Sequence, residues 1–298
     1  MEYVTIHSVP PIKASYLIAA FKGWPDAGEG ASSALRYLFR KLPAKKFAEI
    51  DSEEFYDFTQ VRPQTSINRE GLRTVKWPAN ELFYWAAKEP SQNLLFFLGV
   101  EPNLKWKTFS RVLLDVAEHW GVKTLIHMGS LLDAVPHTRA IRISGSSNGA
   151  DLRKKLESYS ISSSNYQGPT GITSAVMEAC TAREISHASI WGHTPHYVQA
   201  APNYRVSYTL ISVLSRLLGF PIALDELRSA AETFDQEVEK AVTKDSQISD
   251  YIQRLERRYD EAAILTQGDM PQAEEVVKDL EEFLKGQQRR NEERGPSS

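Results

Sequence analysis

The stretch GWPDAGEG, at residues 23–30, lies between a continuous apolar run, SYLIAAFKGW (15–24), and a segment with helical spacing, ASSALRYLF (31–39). An apolar run that stops at a glycine-rich turn is typical of a strand buried on both faces of a parallel sheet. After the turn, apolar residues recur on one face of the predicted helix, at Ala31, Ala34, Leu35, Leu38 and Phe39. The chain therefore opens with a strand, a tight turn and a helix, the repeating unit of an α/β fold.

The same alternation continues along the first 221 residues. Proline and glycine break residues 61–87 into short extended pieces, which predicts a hairpin or an excursion from the sheet. Strands that alternate with helices favour a mainly parallel sheet covered on both faces, a three-layer αβα fold. Further strands are predicted at 93–102 and 139–148 and at the starts of 46–58, 123–136 and 187–198, the first of which runs into an acidic, aromatic loop. Helices are predicted at 105–121, 172–184 and 204–220.

The character of the chain changes after Pro221, because no strand-like run follows and Glu, Lys and Arg become frequent. A further amphipathic stretch lies at 276–284. We therefore divide the chain into an αβα domain at 1–221, a helical appendage at 222–287 and a disordered tail at 288–298. Coiled-coil spacing predicts a short apolar seam in the appendage, formed by Ile248, Ile252, Leu255, Tyr259 and Ala262.

The bulk composition is that of an ordinary globular protein, with 42% hydrophobic and 24% charged residues. A formal net charge of −3 provides no basic field for nucleic acid or for an anionic membrane. The single cysteine, Cys180, excludes an intramolecular disulfide and a cysteine-based zinc site, and its place in a predicted helix indicates a core residue. Because we find no signal-peptide pattern and no apolar run long enough to cross a bilayer, we expect a cytoplasmic protein.

A glycine-rich turn that enters a helix often binds phosphate, but GWPDAGEG lacks the residues that this requires. A Walker loop needs a lysine just before the helix, and a dinucleotide fingerprint needs a spacing that Gly23, Gly28 and Gly30 do not have. Asp26 and Glu29 also place negative charge at the helix N-terminus, where an anion would otherwise bind. These carboxylates either cap the helix, which contributes about 0.5–2 kcal/mol, or act as an acid–base pair or a site for a hard metal ion.

In open α/β sheets, ligands bind beyond the carboxyl ends of the strands. Four turns are expected at that edge: GWPDAGEG, GVEPNLKW, GSLLDAVPHTRA and WGHTPHYVQA. A further turn, GPTGITS (168–174), precedes a predicted helix, where its threonines cap the helix or its N–H groups contact a ligand. Together the turns supply a candidate pocket of Trp24, Asp26, Glu29, Glu101, Asp133, His137, Thr170, Gly171, His193 and His196.

The histidines are weak evidence for a metal site. His193 and His196 have H-x-x-H spacing, but the proline between them opposes the helix that would place both on one face. A third ligand would be His137 or Asp133, and the alternative is that all of these are surface or capping residues. We therefore predict no metal ion and no cofactor.

Three stretches are rich in Phe, Tyr and Trp without the pattern of regular core elements: EEFYDF (53–58), KWPANELFYW (76–85) and HYVQAAPNY (196–204). Aromatic residues are enriched at protein interfaces. They also form satellite cores beneath long loops. The sequence is compatible with either role.

Several stretches, in this order, resemble the proteasome assembly chaperone 2 family in its actinobacterial branch: FKGWPDAGEGASSALRYL, FYDFTQVRPQ, GSLLDAVPHTR, GPTGITSAV and GHTPHYVQAAPN. The likeness spans roughly residues 5–265. It implies a three-layer αβα fold like that of nucleoside phosphorylases and related hydrolases. It also implies a role in assembly, since eukaryotic members are heterodimeric chaperones of the proteasome core and archaeal and bacterial relatives look like homo-oligomers.

Eukaryotic members of that family act through C-terminal residues that insert into a proteasome ring. The last residues here, RRNEERGPSS (289–298), lack the hydrophobic-Tyr-x ending that favours such docking. We therefore do not expect that mechanism in this chain.

These observations predict a non-enzymatic, homo-oligomeric binding or assembly protein, whose protein partner is proteasome-related by the resemblance alone. Residues 245–298 are expected to contribute to self-association or stability. One alternative is a hydrolase or nucleoside-cleaving enzyme with Asp26, Glu29, Asp133 and His137 around one pocket. Another is a ligand sensor that uses the same pocket without turnover.

Overall fold

The computed structural model describes residues 1–163, 166–243 and 246–265. Within these ranges the strands are β1 (Val4–Ile6), β2 (Tyr16–Lys22), β3 (Lys45–Ile50), β4 (Gln64–Ile67), β5 (Arg73–Lys76), β6 (Asn80–Trp85), β7 (Leu94–Val100), β8 (Thr124–Asp133), β9 (Ile143–Ser147) and β10 (Ser186–Pro195). The helices are α1 (Gly30–Lys41), α2 (Trp106–His119), α3 (Ala150–Ser158), α4 (Ile172–Ala182), α5 (Tyr204–Leu218), α6 (Asp225–Val242) and α7 (Ser246–Leu265).

Eight strands form the central sheet, in the order β1-β3-β6-β7-β2-β8-β10-β9. The four strands β7, β2, β8 and β10 are parallel to one another. Both margins of the sheet pair antiparallel, β1 with β3, β3 with β6 and β6 with β7 on one side, and β9 with β10 on the other. The predicted α/β fold with further C-terminal helices is confirmed, and its sheet is mixed around a parallel centre.

Helices cover both faces of the sheet because the central strands alternate large apolar side chains on both sides. On one face Leu17, Ala19 and Phe21 of β2 belong to a core with α2 and α4. On the other face Ile18 and Ala20 belong to a core with α1 and α5. The predicted helical face of α1 is buried at Ala31, Ala34, Leu35 and Leu38.

The strand β1 and the helix α3 were not predicted, and β6 belongs to the central sheet although residues 61–87 were expected to form a hairpin or an excursion. The strand β1 has only three residues and none of them is buried, so its apolar pattern is weak. The helix α3 is polar and buries one side chain, Leu156. The hairpin expected within residues 61–87 is present as β4 and β5, which pair only with each other in the described structure.

The helices after residue 221 begin within the body of the fold. Ile222 and Leu227 belong to the same core as α1 and α5. The proposed domain boundary at 221 stays a prediction.

On α7, the seam residues Ile252 and Leu255 are 6% and 1% exposed within the single chain. The side chain of Ala262, the stretch 276–284 and the tail 288–298 lie outside what the structure describes. The coiled coil stays a prediction.

Cys180 is fully buried on α4, where burial raises the pKa of its thiol to about 12. Its position is that of the core residue expected from the sequence. Across the described helices, none combines the length and apolarity that crossing a bilayer requires.

Candidate functional site

Four turns meet at one edge of the central sheet. They follow β2, β7, β8 and β10, which are neighbouring parallel strands, so their carboxyl ends point in one direction. This is the edge at which α/β proteins bind ligands. The turns that supplied the candidate residues are therefore brought together by the topology.

The opening turn is closed by its own aspartate. Asp26 is 7% exposed, and its Oδ1 accepts hydrogen bonds from the backbone N–H groups of Ala31 (2.9 Å) and Ser32 (3.0 Å). Burial raises the pKa of Asp26, while the hydrogen bonds from α1 act in the opposite direction. The carboxylate thus occupies the anion-binding position at the N-terminus of α1.

The rest of the turn is shaped by backbone conformations and contacts to β8. Gly23 and Gly28 have φ of +104° and +60°, which favour glycine. Ser130 on β8 donates from its backbone N–H to Pro25 O (2.9 Å) and from its hydroxyl to Ala27 O (2.8 Å). Glu29 is the outward-facing acid, and its carboxylate lies 3.4 Å from Arg36 Nη1.

Glu101 plays the corresponding role for α4. Its Oε1 accepts a hydrogen bond from the backbone N–H of Ile172 at 2.9 Å. Burial raises the pKa of Glu101. A Cβ built on Gly171 would lie 2.7 Å from Glu101 Oε1 and 3.1 Å from the ring of Trp24, so this glycine permits the close approach of both side chains.

Trp24 is the exposed member of this group, at 66%. Thr170, which precedes α4, forms a side-chain hydrogen bond with Ser174 in the first turn of that helix. Trp24, Glu101 and Gly171 are therefore grouped together, and Thr170 is tied to the helix beside them.

Asp133, His193 and Ser144 form a hydrogen-bonded chain across three strands. Asp133 Oδ2 lies 2.7 Å from His193 Nδ1, and His193 Nε2 lies 2.9 Å from Ser144 Oγ. Burial opposes ionisation of Asp133, but the hydrogen bond and charge of His193 outweigh it and lower its pKa. The order of groups is that of a serine hydrolase triad.

This chain of groups is buried. Ser144 is 3% exposed and His193 is 2% exposed. Ser144 was not a candidate from the sequence, because it lies inside β9 and not in a G-x-S-x-G turn. Only the antiparallel pairing of β9 with β10, which sets Ser144 beside Trp191, brings its hydroxyl to His193.

The turn after β8 is engaged by α6 and α7. His137 Nε2 lies 2.9 Å from Glu239 Oε2, and its Nδ1 lies 2.8 Å from the hydroxyl of Tyr197. Arg139 forms a two-pronged ion pair with Asp260, with both nitrogen–oxygen distances at 2.9 Å. The side chains of this turn are thus used for contacts within the chain.

The turn after β10 is engaged in the same way. His196 Nδ1 lies 3.1 Å from the backbone oxygen of Asp133, and its Nε2 lies 3.2 Å from the hydroxyl of Tyr251 on α7. The ring of Tyr251 also contacts that of Tyr197 at 6.4 Å between centroids. Helix α7 therefore spans the two turns that carry most of the candidate histidines.

The four acids and histidines of the enzyme alternative are not joined to one another. Asp26 bonds to α1, Glu29 to Arg36, Asp133 to His193, and His137 to Glu239 and Tyr197. Among the described residues, no three side chains of His, Cys, Asp or Glu are grouped to hold a metal ion.

Two clefts in the structure lie away from the candidate residues. One, of about 560 Å³, opens near the starts of β2 and β7, at Lys13, Ser15 and Asn93, the opposite edge of the sheet. The other, of about 240 Å³, lies between β9 and α3. Neither is lined by a candidate residue.

Two further histidines are buried beneath α4. Burial lowers the pKa of His127 to about 3 and that of His187 to about 4. His127 Nε2 lies 3.2 Å from Thr173 Oγ1. Neither ring nitrogen of His187 has a hydrogen-bond partner among the described residues.

The aromatic stretches divide between core and surface. Phe55 and Tyr56 are buried in the core beneath α2. Trp77, at the end of the β4–β5 hairpin, contacts Phe58 at 4.8 Å between centroids and is still 50% exposed. Ile67 and Val75 of the hairpin are 66% and 54% exposed.

Comparison with known proteins gives one family and several related structures. The sequence model of the PAC2 family matches residues 20–242. A PAC2 family protein from Streptomyces avermitilis is 33% identical, with 79% of this chain and 98% of that chain covered and a TM-score of 0.72. A proteasome-assembly chaperone homologue from Mycobacterium tuberculosis is 30% identical, with coverage of 80% and 99% and a TM-score of 0.72.

A more distant likeness concerns the fold alone. Pyrococcus furiosus PbaB, an archaeal proteasome activator, is 20% identical, with coverage of 80% and 97% and a TM-score of 0.64. No protein with a curated description matches this chain in sequence.

Proposed function

We propose that this chain, which belongs to the PAC2 family, is a non-enzymatic, self-associating assembly factor that binds proteasome-related proteins. The relative from Mycobacterium tuberculosis supports the kind of partner, because it is described as a proteasome-assembly chaperone homologue and is 30% identical over 80% of this chain. The proposal concerns binding through surface elements, without chemistry at the sheet edge.

The observation that carries the proposal is the β4–β5 hairpin. It stands outside the central sheet, and Ile67, Leu72, Val75 and Trp77 are each 50% exposed or more. We take this group of exposed apolar side chains, which includes an aromatic residue, as support for a protein-binding surface. At the sheet edge, by contrast, the polar candidate side chains are engaged by α1, α4, α6 and α7.

Native mass spectrometry of the purified chain, alone and mixed with purified proteasome core subunits of its host, tests this function. We expect a homo-oligomer alone and a complex of fixed stoichiometry with the core subunits. A double variant, Ile67→Ser with Val75→Ser, should lose the complex. Leu104→Ser, an equally apolar change at a side chain that is 48% exposed elsewhere, is the control and should retain it.

A chain that stays monomeric and binds no core subunit would overturn the proposal. If both the hairpin variant and the Leu104→Ser control lose the complex, the hairpin is not the specific binding surface for the core subunits.

A hydrolase is the second candidate function, favoured by the Asp133–His193–Ser144 chain. A hydroxyl at 2.9 Å from an imidazole nitrogen, with a carboxylate 2.7 Å from the other nitrogen, is the arrangement that activates a serine nucleophile. The 3% exposure of Ser144 weighs against access of a substrate.

A fluorophosphonate probe separates the two functions. The hydrolase predicts labelling of the chain that is lost in Ser144→Ala and in His193→Gln, and retained in Ser146→Ala on the same strand. The assembly function predicts no labelling of any of these proteins. Peptide mass spectrometry locates the modified residue.

A further inference from the structure

The β4–β5 hairpin is a two-stranded sheet that no other described element covers. All eight residues of Gln64–Ile67 and Arg73–Lys76 are exposed. An isolated two-stranded hairpin is marginally stable in water, and a third or fourth strand stabilises it. Within the described residues, neither outer edge of this hairpin pairs with another strand.

The hydrogen-bond pattern shows which backbone groups are unpaired. The backbone N–H of Asn68 donates to Leu72 O at 2.9 Å, at the end of a ladder that pairs Ser66 with Thr74. Along an antiparallel strand, the backbone N–H and C=O groups of successive residues point alternately toward the partner strand and away from it. The N–H and C=O groups of Thr65 and Ile67 therefore point away from β5, toward the outer edge of β4.

The two outer edges of the hairpin differ in charge. Strand β5 carries Arg73 and Lys76, and charged residues on an edge oppose pairing with another chain. Strand β4 has the sequence QTSI and no charge. The edge of β4 is thus the unprotected one.

We propose that β4 pairs antiparallel with β4 of a second copy of this chain, about a two-fold axis that passes beside Ser66. The two hairpins then form one four-stranded sheet, with the charged β5 strands at its outer edges. An edge contact of this kind is isologous and closes on itself, so it gives a dimeric unit and not a fibre. This inference rests on the self-association in the proposed function and specifies its interface.

The register of the pairing follows from the ends of β4. The outward residue before Thr65 is Pro63, which has no N–H group to donate. Beyond Ile67 the chain enters the turn that Asn68 closes, with its side chain accepting from the N–H groups of Glu70 and Leu72. The register that pairs Thr65 of one copy with Ile67 of the other uses every outward group of β4.

A disulfide at the two-fold axis tests this pairing directly. In the proposed register Ser66 faces Ser66 of the second copy in a non-hydrogen-bonded pair, with Cα atoms about 4.5 Å apart. This separation lies within the range of about 4.4–6.8 Å that a disulfide spans. Ser66→Cys should form a disulfide-linked dimer under mild oxidation, seen on non-reducing gels.

Thr74→Cys is the matched control, because Thr74 lies on the same face of the hairpin, 2.8 Å from Ser66 between side-chain oxygens. Three strand spacings would separate its two copies, about 14 Å, which a disulfide cannot span. It should remain monomeric on the gel. The native Cys180 is buried and is the only cysteine of the chain, so it provides no background.

Two proline variants test the edge without a cross-link. Thr65→Pro removes an outward N–H group from the β4 edge and leaves the hydrogen bonds within the hairpin in place. We expect the dissociation constant of the dimer, measured by analytical ultracentrifugation, to rise at least tenfold. Val75→Pro makes the same change on the charged β5 edge and should leave the constant unchanged.

The outcomes separate this inference from the proposed function. An oligomer that neither cross-links in the Ser66→Cys variant nor weakens with Thr65→Pro would overturn the β4 pairing and leave self-association standing. A native chain that is monomeric at all concentrations would overturn the β4 pairing together with the self-association in the proposed function, and leaves the binding of core subunits to its own test. Equal weakening by Thr65→Pro and Val75→Pro would also overturn the assignment to β4.

Discussion

Asp26 shows how one side chain of a glycine-rich turn can cap the helix that follows the turn. The sequence left open whether Asp26 and Glu29 cap α1, act as an acid–base pair or bind a metal. In the structure Asp26 accepts hydrogen bonds from two N–H groups of α1, and Glu29 contacts Arg36. A carboxylate of the turn itself thus lies at the N-terminus of the helix that follows, the position that an anion would otherwise take.

His187 is the residue for which we predict a clear dependence on pH. Its ring is fully buried, and its pKa falls from 6.5 to about 4 in the folded chain. Between these values the unfolded chain binds a proton that the folded chain does not, so stability is lost as the pH falls below 6.5. At pH 5 the loss from this group is about 2 kcal/mol.

His187→Leu should remove that part of the pH dependence. The change in the free energy of unfolding between pH 7 and pH 5 should shrink by about 2 kcal/mol relative to the native chain. It should also stabilise the protein at pH 7, since no unpaired ring nitrogen remains buried. Urea unfolding at both pH values measures this, with the exposed His119→Gln as control.

An unchanged pH dependence in His187→Leu would show that the ring is not buried and neutral as the structure has it. The same reduction in His119→Gln would show that the effect is not specific to burial.

At the scale of elements, α7 shows what an apolar seam leaves open. Coiled-coil spacing predicts the seam, and its residues Ile252 and Leu255 are buried within the single chain. Tyr259 donates a hydrogen bond to Ala140 O at 3.0 Å, and Arg139 pairs with Asp260. An amphipathic pattern specifies that one face is covered and does not specify by what.

We predict that Leu255→Ala releases α7 from the turns it covers. Loss of a large buried side chain costs about 2–5 kcal/mol. Hydrogen–deuterium exchange should therefore rise in residues 248–261 and in the turn at 134–142, with little change in β2 and β7. Arg257→Ala, an exposed change on the same helix, is the control and should leave exchange as it is.

Exchange that is unchanged in Leu255→Ala would mean that α7 is held by other contacts. A rise that depends on protein concentration would mean that its cover comes from a second chain.

The β4–β5 hairpin is a second element whose exposure depends on how the rest of the chain folds. Pro63, Gly71 and Pro78 bound its strands, so its existence was predictable from residues 61–87. The sequence predicted a hairpin or an excursion there, but not that β4 and β5 would pair apart from the central sheet while β6 joins it between β3 and β7. The exposed apolar face of Ile67, Val75 and Trp77 becomes visible only with that arrangement.

At the scale of the whole molecule, the layered fold follows from continuous apolar runs. The runs at β2, β7, β8 and β10 are each buried on both faces, and such strands belong at the centre of a sheet covered by helices. The chain order of strands and helices then restricts the topology. The polar and short elements, β1 and α3, carry too little apolar pattern to be predicted.

The sequence predicted where the candidate site lies, but it did not predict which side chains there contact one another. Parallel strands made it certain that turns after β2, β7, β8 and β10 would share an edge, and they do. The partner of each side chain was not predictable, because Asp133, His193 and Ser144 lie on three strands that are distant in sequence. The sequence pointed to two members of that chain and missed Ser144.

The sequence by itself determined the αβα class, the strand–turn–helix opening, the edge where the turns gather and the family resemblance, because these depend on local patterns of apolar residues, glycines and motifs. The tertiary structure alone decided that α6 and α7 engage the histidine-bearing turns, that Ser144 joins Asp133 and His193, and that the outer edge of β4 pairs with none of the described strands. These are contacts between segments far apart in the chain. The geometry of these contacts depends on how the elements pack together, and a local sequence pattern does not contain that information.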